Sequence, residues 1–255
     1  MSLTLTPITG IPLIHKGDAL AQILLEACKK NNLQLQSGDI FVLAQKIVSK
    51  AEGRLVNLST VTPSPEAVRT AAVCEKDPRL VELILQESRQ VLRLRPGTII
   101  VQHKIGFVCA NAGIDHSNVK GEWGNADDWV LLLPEDADAS ACSILSQLEI
   151  ESETTLGVLI IDSHGRAWRN GTLGTAIGMA GIPGLVDLRG KPDLYGYQLR
   201  ITQVGAADEL AAAASLVMGQ ADEAVPAVHV RGFPYPLRNG SVQEMIRPAE
   251  SDLFH

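Results

Sequence analysis

Two aspartates, each placed where an apolar run gives way to polar residues, are the side chains of this sequence best set to do chemistry. In "LGVLIIDSHGRAWRNGTLG" the apolar run 158–161 leads straight into Asp162, with the Ser163 hydroxyl beside it. In "IGFVCANAGIDHSN" a strand-like segment and a glycine turn lead to Asp115, with Asn118 three residues on. An ionised carboxylate at the end of a buried strand is costly unless something pairs with it. Two such carboxylates offset the cost by sharing a divalent cation. With a hydroxyl beside them they form the hard-oxygen set that Mg2+ or Mn2+ accepts. A plainer reading stays open on these residues alone: Asp162 and Ser163 open a turn, and Asp115 caps one. His116 and His164 follow the aspartates closely, but no HxxxH-type spacing supports ligation, so both read as solvated loop histidines.

Cationic and carboxamide side chains supply what an anionic ligand needs. Lys46 and Lys50 in "AQKIVSKAEGR" share a face on a helical turn, where like charges repel unless an anion such as a polyphosphate sits between them. A solvated basic turn is the alternative. Arg166 and Arg169 carry guanidinium forks suited to carboxylate or phosphate, and are expected to meet an anionic substrate. In "VMGQADEA", Gly219 closes a helix and leaves Gln220, Asp222 and Glu223 in a polar loop able to ligate metal or orient a nucleotide, or simply to end the helix. The sequence has no GxSxG elbow and no cysteine in an electropositive motif, which speaks against covalent Ser or Cys catalysis. It also lacks a GxGxxG after a strand and a GxxxxGK[ST] loop, which disfavours standard Rossmann and P-loop folds.

The elements that must position these groups alternate irregularly. Residues 3–14 read as a strand running into a turn, and Asp18 opens a helix that ends near the Lys29-Lys30 pair. Residues 40–44 form a buried strand. Residues 63–77 and 78–91 read as two helices, each with Pro near its start. Two adjacent strands follow, separated by His103 and Lys104, then a short strand in "DDWVLLLP" and a helix over 134–148. After the Asp162 strand comes a glycine-rich region, "GTLGTAIGMAGIPG". Strands are expected in "LVDLRG", "GYQLRITQV" and "VPAVHVRG", with an Ala-rich helix before the last. Strand pairs joined by short turns predict an α+β fold of mixed and antiparallel sheets with packed helices.

Composition sets the outer bounds. A chain of 255 residues suits one domain over 1–255, or two closely packed subdomains. Aromatics are only 4%, so the core must be mainly aliphatic. A net charge of -7 with no dense basic stripe argues against nucleic acid. The four cysteines are scattered and form neither a zinc pattern nor a disulfide framework, as in a cytoplasmic protein, and Cys28 and Cys74 are expected in the core. No signal peptide, membrane-spanning run or membrane partner is expected.

Taken together, "GIPLIHKGD", "AQKIVSKAEGR", "NAGIDHSNV", "IIDSHGRAWRNG", "AIGMAGI", "ADELAAAASLVMGQADEAVPAVHVRG" and "IRPAESDLF" resemble, in order and over nearly the whole chain, the coenzyme F-420 γ-glutamyl ligases. That family adds glutamates to a phospholactyl deazaflavin precursor. The resemblance implies a GTP- and metal-dependent amide ligase: the acceptor carboxylate is phosphorylated, and the amine of L-glutamate attacks the acyl phosphate. It implies Mg2+ or Mn2+, two per site, with K+ as a further candidate cation. Asp115 and Asp162 then look like ligands of one metal, and Ser163 and Gln220 of a second. Ser163 stands where the family usually has Thr and keeps the hydroxyl. Pro12, Leu13, Ile14 and His15 look like a nucleotide-contacting turn, and Gln45, Lys46 and Lys50 like phosphate-side contacts, with Lys50 counted as catalytic beside the two aspartates. Asn118 and the loop Met218, Gly219, Gln220, Ala221, Asp222, Glu223, Ala224 and Val225 resemble further GTP contacts. The resemblance also implies an intertwined homodimer. Some bacterial relatives carry a second, flavin-binding nitroreductase-like domain, and this chain is expected to be the ligase domain alone. Two other readings fit the same residues: a metal-dependent nucleotide phosphohydrolase, and a non-catalytic nucleotide-binding protein whose carboxylates are structural caps.

Overall fold

The structure, a computed structural model, describes residues 2–121 and 123–252; Leu253 and Phe254 of the last motif lie outside them. In chain order the elements are β1 (Thr4–Pro7), α1 (Leu20–Lys30), β2 (Ile40–Ala44), α2 (Gln45–Ala51), β3 (Leu55–Asn57), α3 (Pro65–Cys74), α4 (Pro78–Gln86), β4 (Ser88–Arg95), β5 (Thr98–His103), β6 (Val108–Ala110), β7 (Trp129–Leu131), α5 (Ala137–Ser152), β8 (Gly157–Arg166), β9 (Arg169–Ala180), β10 (Val186–Asp187), β11 (Gln203–Val204), α6 (Ala206–Met218) and β12 (Ala227–Arg231). The architecture is the expected mixture of helices with mixed and antiparallel sheets. No helix among the described residues is long and apolar enough to cross a membrane.

The central sheet has the order β1-β12-β2-β8-β9. All its pairs are antiparallel except β2 with β8. Both faces are covered, which is why β2 and the first half of β8 are continuous apolar runs instead of alternating ones. Val158 and Ile160 pack in one core with α1 and α5, while Leu159 and Ile161 pack in another with α6. A third core lies between α3, α4 and the sheet β4-β5-β6. Cys28 and Cys74 are buried, as expected.

Strand direction gathers the site. β1, β2 and β8 run the same way and β12 runs against them. The chain therefore leaves β1, β2 and β8, and enters β12, at one common end of the sheet. Pairing of β2 with β8 stops at Ala44 and Ile161. Asp162 is the first β8 residue past it, and from there β8 and β9 continue as a two-stranded ribbon.

Several elements depart from the sequence expectation. The helix expected over 78–91 stops at Gln86, and Ser88–Arg95 is a strand. Val91, Leu92 and Leu94 satisfy a helical spacing too, and the strand's two register irregularities hide its period of two. Asp18 does not cap α1; its carboxylate takes the backbone N–H of His15, 2.7 Å away, and the helix starts at Leu20 with no side-chain cap. The strands expected in "LVDLRG" and "GYQLRITQV" shrink to a two-residue pairing of β10 with β11.

The glycine-rich region proves to be β9. Glycine weakens most strands, but here it admits close backbone approach. A Cβ on Gly174 would run into the Ala211 carbonyl of α6, and one on Gly178 into the backbone of Ala137 of α5. Gly178→Ala is expected to destabilise the fold by about 1–3 kcal/mol through overpacking, read as a lower urea-unfolding midpoint.

Candidate functional site

β8 is extended, so successive side chains point to opposite faces. Asp162 continues the face of Val158 and Ile160, and Ser163 the face of Leu159 and Ile161, toward α6. Asp115 comes from the loop after β6. A backbone bridge holds it, with Asp115 N to Leu131 O at 3.0 Å and Leu131 N to Asp115 O at 2.9 Å. The Asp115 carboxylate faces α2. Gln45 Nε2 donates to its Oδ2 at 2.8 Å, and Lys46 Nζ stands 3.3 Å from the same oxygen. Gln45 is itself fixed, because the buried Ser49 hydroxyl donates to its Oε1 at 2.8 Å.

The two lysines four apart on α2 do share a face, and what they meet is the chain itself. Lys46 Nζ donates to the carbonyl and hydroxyl oxygens of Ser117, at 2.9 and 2.8 Å. Lys50 Nζ donates to the Asn118 carbonyl at 2.9 Å. Asn118 sits in the left-handed region, where Asn is tolerated. Its Nδ2 donates to Ala221 O at 3.0 Å, tying the 115–118 loop to the loop after α6. In that loop Ala221 N donates to Glu223 Oε2. Ser163 Oγ donates to Gln220 Oε1 at 2.8 Å, and Gln220 Nε2 to Ser215 Oγ at 3.0 Å. The loop enters β12 through Pro226, whose carbonyl accepts from Ala44 N.

The electrostatics fit a cation. Burial, then the neighbouring Asp162 carboxylate, push the Asp115 carboxyl above its ordinary 3.8, against the pull of Lys46 and Gln45. Burial, then Lys46, lower the Lys50 ammonium. Burial and Asp162 push the Cys109 thiol up to about 12, far from a reactive thiolate. Asp115 thus lies in the field of Asp162 as well as that of Lys46, and His164 Nε2 stands 2.9 Å from Asp162 Oδ2. The Asp115 and Asp162 oxygens, and separately those of Ser163, on the other strand face, and its partner Gln220, are hard donors of the type a divalent cation of the Mg2+ or Mn2+ kind takes. No group of three His, Cys, Asp or Glu side chains with metal-holding geometry occurs among the described residues, so protein carboxylates alone do not complete a coordination sphere.

The remaining candidates are placed as follows. Pro12, Leu13 and His15 are exposed on the segment leaving β1 at this same sheet end, while Ile14 is buried in the core with Ile47 and Val48. Met218 is buried at the end of α6. Gly219 and Val225 are partly exposed, and Asp222, Glu223 and Ala224 are exposed. No hydrogen bond links residues 12–15 to the carboxylates among those described. Arg166 and Arg169 are not drawn into the cluster. They face each other near the tip of the β8–β9 ribbon, four residues and roughly 13 Å of strand beyond Asp162.

One residue breaks with the sequence expectation. His164 is buried, with Nε2 2.9 Å from Asp162 Oδ2, at an angle too oblique for a linear hydrogen bond. Phe107 packs on its ring, with centroids 5.0 Å apart. The signal was available in the i, i+2 spacing from Asp162, which puts both side chains on one strand face. His116 is exposed, as expected of a loop histidine.

Comparison with known proteins bears on this arrangement directly. The family model for F420-0:gamma-glutamyl ligase matches residues 9–232. The chain belongs to this family. The matched span of the γ-glutamyl ligase model contains every residue of the carboxylate cluster, both lysines and the loop after α6. Among similar curated proteins is the coenzyme F420:L-glutamate ligase of Methanothermobacter thermautotrophicus, 46% identical over 100% of this chain and 99% of that protein. Those of Methanocaldococcus jannaschii (42% identical, 86% of each chain) and Archaeoglobus fulgidus (38% identical, 100% of this chain and 97% of that protein) carry the same name.

Proposed function

We propose that this protein is a coenzyme F-420 γ-glutamyl ligase that joins L-glutamate to the phospholactyl deazaflavin precursor, with γ-linked further additions, at the expense of GTP. The observation that carries the reading is that Asp115, held by Gln45 and Lys46 of α2, lies in the field of Asp162, within a chain that matches the γ-glutamyl ligase model over 9–232. Asp115 and Asp162 would hold one divalent cation and Ser163 and Gln220 a second. Such ions supply neutralisation of the charge that builds on the phosphates during transfer. Lys46 and Lys50 exchange their loop carbonyls for phosphate oxygens when nucleotide binds. The loop from Gly219 to Val225, Asn118 and the segment 12–15 border the nucleotide at the same sheet end.

In the chemistry this assigns, an oxygen of the acceptor carboxylate attacks the γ-phosphorus and GDP leaves. The deprotonated amine of glutamate then attacks the acyl carbon, and phosphate departs with that oxygen. Labelling the acceptor carboxylate with 18O tests this. One label is expected in the released phosphate. Unlabelled phosphate, whose fourth oxygen came from water, points instead to the phosphohydrolase reading.

A homodimer belongs to the same reading. The excursion between β10 and β11 exposes Leu194, Tyr195, Tyr197 and Ile201, large apolar side chains that a partner copy would cover. Sedimentation at micromolar concentration is expected to give twice the chain mass.

A further inference from the structure

The ribbon that carries Asp162 ends in an aromatic side chain that the fold does not use. Trp168 is 91% exposed. Its backbone has φ 64, a conformation that favours glycine and is uncommon for a bulky residue. The other two tryptophans behave conventionally: Trp123 and Trp129 pack edge to face on each other, and Trp129 Nε1 donates to the Trp123 carbonyl. Flanking Trp168 are Arg166 and Arg169, cross-strand neighbours that form no ion pair among those described; Arg166 reaches only the Gly171 carbonyl, at 3.3 Å. An exposed indole between unneutralised guanidinium groups is suited to a flat, anionic ligand, stacked by its face and held by its charge.

We propose that Trp168, with Arg166 and Arg169, is the platform that binds the deazaflavin end of the acceptor substrate; this rests on the ligase reading above. Reach supports it. From Asp162 to Arg166 the strand spans roughly 13 Å. In the acceptor, about ten single bonds of roughly 1.5 Å, zigzagging through ribityl, phosphate and lactyl groups, separate the ring from the reacting carboxylate. An extended acceptor with its carboxylate at Asp162 therefore brings its ring to the ribbon tip, while its phosphate, three bonds from that carboxylate, stays near Asp162. Guanine of GTP is a competing flat ligand and a partner copy a competing cover, and the experiment separates both.

Steady-state glutamylation and GTP binding are measured for wild type, Trp168→Ala and Trp168→Phe. For Trp168→Ala the KM for the deazaflavin is expected to rise on the order of tenfold or more, the size of a lost stacking aromatic. Trp168→Phe recovers most of the loss, the Kd for GTP stays at the wild-type value, and the sedimenting mass is unchanged. Acceptor titration quenches Trp fluorescence in the wild type and not in Trp168→Ala. An unchanged acceptor KM in Trp168→Ala overturns the platform alone, as does a loss that falls on GTP or on the oligomer. A wild type that glutamylates no deazaflavin overturns the ligase reading and the platform with it.

Discussion

Asp162→Asn is expected to reduce glutamyl transfer by about a thousandfold or more, equivalent to roughly 4 kcal/mol of lost transition-state stabilisation, and Asp115→Asn to do the same. The size follows from placement. Both carboxylates sit at the common end of β1, β2 and β8, and Asp115 feels Asp162. Removing one takes away a charged oxygen from a site whose work is to neutralise charge. Stability should move the other way for Asp115. Its carboxyl is raised in the folded state by burial and by Asp162. A raised carboxyl favours the fold below its unfolded value and loses that contribution as pH rises through the folded one. At neutral pH the ionised group is thus a net cost, and Asn relieves it. Asp115→Asn is expected to unfold at the wild-type temperature or above, with a gain of roughly 0.5–2 kcal/mol. Divalent cation is expected to raise the wild-type midpoint and to leave that of Asp115→Asn nearly unmoved. Calorimetry with and without Mn2+ reads both, and an inactive variant that is also unfolded would contradict the assignment.

Asp39→Ala is expected to cost about 3–5 kcal/mol of stability, the usual penalty for breaking a buried ion pair. Asp39 precedes β2, at the sheet end opposite the site, and is almost fully buried. Arg231 grips it with two hydrogen bonds, at 2.8 and 2.6 Å, His229 Nε2 lies 2.9 Å away, and Gln36 N donates at 2.8 Å. Burial alone would raise this carboxyl, but the Arg231, His229 and Gln36 contacts outweigh it and hold it below 3.8. A lowered carboxyl stabilises the fold above its unfolded value, and the contribution is lost as pH falls through the folded one. The difference between wild type and Asp39→Ala in urea should therefore shrink under acid conditions, below pH 3.8. Because the clamp is remote from the carboxylate pair, the folded fraction of Asp39→Ala should retain activity at low temperature.

The sequence carried the strands of the site more plainly than their continuation. Residues 40–44 are a strand with the expected limits, because five apolar residues bounded by Asp39 and Gln45 admit little else. Asp162 stands at the end of an apolar run, yet the strand does not stop there. It runs on to Arg166 because β9 pairs with it, and β9 was hidden by glycines whose purpose is close contact with α5 and α6. Contacts between distant segments were legible only in type. Lys46 and Lys50 share a face as their spacing requires, but that Ser117 and Asn118 would be their partners depends on where the 115–118 loop returns. His164 reads as a solvated residue from its polar neighbours in sequence, yet the fold buries it under Phe107.

The most direct test of the central claim is the mass of the deazaflavin precursor after incubation with purified protein, GTP, Mn2+ and L-glutamate. Increments of one glutamyl unit are predicted, each accompanied by one GDP, and none when glutamate or metal is omitted. Steady GDP release with an unchanged precursor mass would contradict the account and leave a metal-dependent phosphohydrolase in its place.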